Sequence, residues 1–199
     1  MRSTRPLLAS AAALAAFALV ATATSWAQTA EIEIVGVVGA TTTDPFCQLG
    51  NLFSTAAEGE NTIFTLNSSG PTGGRVDILQ LADQNGQQQA FRTVLGASLE
   101  CSVGAQVTLT SDEDGLLNRD TGQDYVDYEA DLIFEGAQTA RDGFITNQGD
   151  APGTRSATIS FVGFGGGLEV RIASLANLPQ EPLADGTYAD RLVLEIQPQ

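Results

Sequence analysis

Apolar side chains recur at every second position along most of this chain. Phe91, Thr93, Leu95, Ala97, Leu99, Cys101 and Val103 share one face, with Arg92, Ser98, Glu100 and Ser102 on the other. A repeat of two residues belongs to a β-strand, whose side chains point alternately to opposite faces. Val126, Tyr128, Ala130, Leu132 and Phe134 alternate in the same way with Tyr125, Asp127, Glu129, Asp131 and Ile133, which predicts a strand with an acidic, solvated face. Further strands are predicted over residues 62–66, 75–81, 105–110, 156–162 and 168–172. After the turn signal Asp185-Gly186, Leu192, Leu194 and Ile196 alternate with Val193, Glu195 and Gln197 to give a closing strand. An opening strand is predicted around Ile32, with Ile32, Ile34, Gly36 and Val38 on one face. No window shows a sustained helical period. About eight or nine strands, separated by polar and Gly-rich spacers at 67–74, 84–89, 112–124 and 146–154, predict an all-β sandwich.

The first 27 residues do not fit this pattern. Arg2 and Arg5 precede an Ala/Leu-rich run, and Ser25-Trp26-Ala27 supplies small residues where a signal peptidase cuts. Residues 1–27 are therefore expected to be a cleaved signal peptide, leaving one domain with no membrane anchor. Cleavage removes two arginines and no carboxylate, so it deepens the formal charge of −15 by two units. Such a surface repels nucleic acid and anionic lipid, which excludes both as default partners.

Export also changes the meaning of the two cysteines. In an oxidising compartment Cys47 and Cys101 are expected to pair, and a loop of that length gives about 4 kcal/mol on the chain-entropy account. Free thiols or a metal pair are the alternatives, although the chain has no His and too few soft ligands for structural zinc.

Candidate chemistry is sparse. Without His or Lys, the Ser-His-Asp, Cys-His, Ser-Lys and Schiff-base arrangements are all excluded. A carboxylate pair could still cleave glycosides, but 24 acids in one chain make some pair inevitable. Asp112-Glu113-Asp114-Gly115, continuing through Asn118, Asp120 and Asp124, has the hard oxygen ligands calcium prefers, yet lacks the spacing of the helical calcium loop. A solvated hairpin loop is the simpler reading. Gly163 to Gly167 lies between two predicted strands with no helix to follow, so it reads as a flexible turn or bulge rather than a phosphate cradle. No catalytic residue, cofactor or metal is expected.

Assembly gives the sharper signal. The closing strand runs almost to the end of the chain, and a strand left incomplete on one side is a site for another strand. Glu31-Ile32-Glu33-Ile34-Val35-Gly36-Val37-Val38 is either the first strand of this domain or a strand donated to a neighbour's sheet.

The N-terminal strand, Cys47, the segment Leu-Glu-Cys-Ser-Val-Gly-Ala-Gln-Val-Thr-Leu-Thr-Ser around Cys101, Gly115-Leu116-Leu117, and the ending Gly186-Thr187-Tyr188-Ala189-Asp190 together resemble the spore coat protein U domain. That family includes pilin subunits of the archaic chaperone-usher type. The resemblance covers most of residues 31–199. It implies an immunoglobulin-like, pilin-type β-sandwich over 41–199 that lacks its last strand, with residues 28–40 as the donor segment. Cys47 and Cys101 would form its disulfide. Ile32, Ile34, Gly36 and Val38 would enter a neighbour's groove beside Leu192, Leu194 and Ile196. The implied partners are a periplasmic chaperone, an usher and identical or homologous subunits, between periplasm and cell surface. Residues 48–61 lack the Phe-Gly pair often found after the first cysteine, and 141–167 carries an unfamiliar Gly-rich pattern. The leading expectation is thus an exported structural subunit of a fibre or coat. The alternative is a self-complete, secreted monomeric sandwich that binds a ligand, and a third is an acidic calcium-dependent module.

Overall fold

A computed structural model describes residues 30–38, 45–55, 61–67, 73–146, 154–163, 165–177 and 181–199. The expected signal peptide, and the boundary drawn at residue 40, lie outside these. In chain order the strands are β1 (Ala30–Val38), β2 (Cys47–Leu49), β3 (Phe53–Ser54), β4 (Thr62–Leu66), β5 (Gly73–Ile78), β6 (Arg92–Cys101) and β7 (Ala105–Ser111). They continue with β8 (Leu116–Asn118), β9 (Tyr125–Val126), β10 (Tyr128–Gly136), β11 (Thr139–Ile145), β12 (Arg155–Phe161), β13 (Gly165–Ser174) and β14 (Tyr188–Pro198).

One sheet has the order β12-β7-β14-β1-β5-β4, with β8 and β9 attached at the start of β14; the other runs β11-β10-β13-β6-β2, with β3 also on β6. The alternation explains how they stack. Val107, Leu109, Ile32, Ile34, Leu192, Leu194 and Ile196 of the first sheet are fully buried, as are Leu95, Leu99, Leu132, Val170 and Ile172 of the second. The result is an open sandwich with one apolar interior. Along one side the sheets are stitched together: the Thr158 N–H of β12 donates to the Asp142 carboxylate of β11 at 2.8 Å. Beside it the rings of Phe134 and Phe161 stack with centroids 3.8 Å apart. At the opposite side Cys47 faces Cys101 across β2 and β6, and the two form a disulfide. Cys101 points inward, as its phase predicts.

Several sequence expectations need correction. The strand predicted over 75–81 ends at Ile78, beyond which Leu79 is 57% exposed. The strand that was expected to carry Val103 stops at Cys101. The acidic-faced strand is interrupted at Asp127, so Val126 pairs with β8 while Tyr128 opens β10. Ile133, placed on the solvated face, is buried. The spacer at 112–124 contains β8, and β11 was not foreseen because its side chains are mostly exposed and show no apolar alternation. Gly165 to Gly167 is strand rather than turn: a Cβ on Gly166 would collide with the Glu135 carbonyl oxygen, so only glycine lets β13 lie this close to β10.

Candidate functional site: the slot between β14 and β5

β1 lies in the middle of its sheet. It pairs in parallel with β14, in the register Ile32 to Asp190, Ile34 to Leu192, Gly36 to Leu194 and Val38 to Ile196. On its other side it pairs antiparallel with β5, Ile32 to Val76 and Ile34 to Gly74. The edge expected to stand open beside Leu192, Leu194 and Ile196 is therefore filled by the chain's own N-terminal strand, and β14 is flanked on both sides, by β7 and β1. The reason is phase. β1 presents Ile32 and Ile34 inward with no exposed surface, while its backbone satisfies N–H and C=O groups that β14 and β5 would otherwise leave unpaired. Each of these isoleucines contributes about 1.5–3 kcal/mol by burial. Gly73 of β5 tightens the fit: a Cβ there would strike the Ile34 carbonyl oxygen.

The start of β14 carries a polar cluster inside the core. Asp190, 2% exposed, is in the same inward phase as Leu192 and accepts from the Ser111 hydroxyl at 2.7 Å and the Tyr128 hydroxyl at 2.5 Å. It also accepts from the backbone N–H groups of Glu113 at 3.1 Å and Arg191 at 2.6 Å. Tyr128 belongs to the opposite sheet, so this carboxylate ties the two layers together. Burial raises the Asp190 carboxyl above the ordinary carboxylate range, against the opposing pull of its four donors. Burial, reinforced by the neighbouring Asp190 charge, pushes the Tyr128 phenol well above its ordinary value. The network was not anticipated, although Asp190 in the inward phase of an otherwise apolar strand was a visible signal.

Outside, the slot is charged. Arg75 of β5 bonds Asp77 at 2.9 Å and reaches Glu31 of β1 at 3.5 Å. On the other flank Arg191 of β14 reaches Glu33 at 3.8 Å and Asp112 at 3.4 Å. The two carboxylates of β1 thus each face an arginine, one on each neighbouring strand.

The acidic stretch considered for calcium is engaged internally. Asp114 is fully buried and accepts both contacts, at 3.1 Å, from the Arg155 guanidinium. Glu113 pairs with Arg119 at 2.9 Å, Asp120 accepts from the Thr187 N–H at 3.0 Å, and Asp124 from the Thr121 hydroxyl at 2.9 Å. Among the described residues there is no group of three or more His, Cys, Asp or Glu that could hold a metal ion.

No family model matches this chain, and no curated protein matches it. Among solved structures, a similar chain is Xyl-CBM35, described in complex with a glucuronic acid-containing disaccharide. It is 16% identical, with 74% of this chain and 96% of that chain covered at a TM-score of 0.27. A superposition that loose transfers neither fold nor ligand.

Proposed function

We propose that this chain is an exported, non-catalytic β-sandwich module that completes its own sheet with its N-terminal strand and serves as a structural or binding unit. The observation that carries this reading is β1 in the slot, paired on both sides and burying Ile32 and Ile34. A disulfide across β2 and β6 fits an oxidising compartment. The absence of His and Lys, and the internal pairing of the acidic stretch at 112–124, argue against a reaction centre.

A second reading has its own support. β1 is joined to neither of its partners by a hairpin: β5 and β14 are both distant in the chain. Such a strand could be exchanged for that of an identical subunit, as the resemblance to the spore coat protein U domain implies, with a periplasmic chaperone and usher as partners.

The two readings separate on the protein secreted without its leader. Native mass spectrometry and unheated, non-reducing gels are expected to give a monomer in which residues 28–40 resist protease. A ladder that collapses to monomer on heating would overturn self-completion and establish strand exchange.

A further inference from the structure

Two antiparallel registers would also keep all nine residues of β1 opposite β14 with its apolar face inward; a third, shifted the other way, keeps Glu33 beside Arg191 only by leaving Val37 and Val38 beyond the start of β14. In one of the first two, Ile34 again lies beside Leu192, which carries Glu31 to Glu195 and leaves Val35 beside Arg191. In the other, shifted by two residues, Glu33 meets Glu195 and Val37 lies beside Arg191. Both set like charges side by side on a strand pair and strip Arg191 of its β1 partner, in a protein already strongly anionic. In the observed parallel register Glu33 faces Arg191, Glu31 is within reach of Arg75, and Glu195 lies beside Val37. The inward residues do not make this distinction, because an apolar alternation reads the same in both directions.

We infer that Glu31 and Glu33 select strand direction: the slot between β14 and β5 is a site for a parallel strand bearing a carboxylate for each flanking arginine, and it discriminates against the same strand inserted antiparallel. This rests on the reading that β1 occupies the slot. Direction is thus written on the outer face and affinity on the inner one.

The test uses the full mature chain. Glu33→Arg is expected to lower Tm by about 2–4 °C in low salt, the shift that corresponds to a ~1 kcal/mol loss in a domain of this size. The loss is expected even though the substitution makes the net charge less negative. Most of it should vanish in 1 M NaCl, where the Debye length is about 3 Å. Adding Arg191→Glu to Glu33→Arg should restore part of the lost Tm at low salt by re-forming the pair with its signs exchanged, the contact of Arg191 with Asp112 staying lost, although Arg191→Glu alone lowers it. Strand direction is read separately from a Val37→Cys/Glu195→Cys pair, which face each other only in the parallel register. This pair is expected to cross-link within one chain. If it cross-links while Glu33→Arg matches the parent, or if its loss is neither salt-sensitive nor rescued, the directional role is overturned and the slot reading stands. If the pair fails to cross-link within the chain, both are overturned.

Discussion

β1 and β14 lie side by side at the centre of one sheet, and they are fastened in different ways. Both bury an apolar face, but β14 is in addition bolted through the core, with Asp190 accepting from Ser111 of β7 and Tyr128 of the opposite sheet. Among the described residues of β1 there is no such bolt: besides its ladders and the burial of Ala30, Ile32 and Ile34, they are held by two exposed ion pairs, at 3.5 and 3.8 Å. Exposed pairs are worth about 0.2–1 kcal/mol, whereas each buried hydroxyl stripped of its partner costs about 1–3 kcal/mol. The comparison teaches that neighbouring strands with similar apolar content need not share one stability. The last strand is part of the frame; the first is an insert.

The largest effect should come from removing the bolt. Asp190→Ala leaves the Ser111 and Tyr128 hydroxyls without their acceptor and is expected to cost about 2–6 kcal/mol in global stability, measured by urea unfolding. A loss confined to β1 protection would contradict the assignment of Asp190 to the frame. Next, Ile34→Ala is expected to cost about 2–5 kcal/mol at the site. Hydrogen exchange should show the loss concentrated in β1 and β5 while the amides of β7 paired to β14 keep their protection. Uniform loss would mean that β1 is as integral as its neighbour.

Alkaline titration probes the bolt from the other side. Tyr128 is raised in the folded state, so its contribution is intact below the unfolded phenol pKa of about 10 and is lost as pH climbs towards the folded value, at up to ~1.4 kcal/mol per pH unit. Tyr128→Phe should be less stable at neutral pH but should lose that alkaline slope. The smallest effect is expected from Glu33→Gln, within about 1 kcal/mol and sensitive to salt.

Much of this frame was legible in the sequence wherever one face of a strand is buried. The phases of β6, β7, β12 and β14, the inward Cys101 and the opening strand around Ile32 all follow from a two-residue repeat. What was illegible depends on partners distant in the chain. Periodicity places Ile32 and Ile34 on one face but does not say whose sheet they complete. The arginines that meet Glu31 and Glu33 become neighbours only once the register is fixed. β8 is too short to show a period, and β11 lies at a sheet edge with most of its side chains in solvent, so neither left a pattern to read; β9 was read as the start of β10, because its alternation runs on through Asp127 although it pairs with β8 instead.

The parallel pairing of β1 with β14 also sets how the molecule bears load. Ala30 lies beside Tyr188, at the beginning of β14, and the chain leaves β14 at its other end, past Pro198. Tension applied between Ala30 and Gln199 therefore drags the two strands past each other along their length. The ladder is sheared, with all its rungs strained together, rather than unzipped one rung at a time. A pull of that kind meets far more resistance than the slender chemical fastening of β1 suggests, whereas a force that lifts its end sideways out of the slot opens the ladder rung by rung.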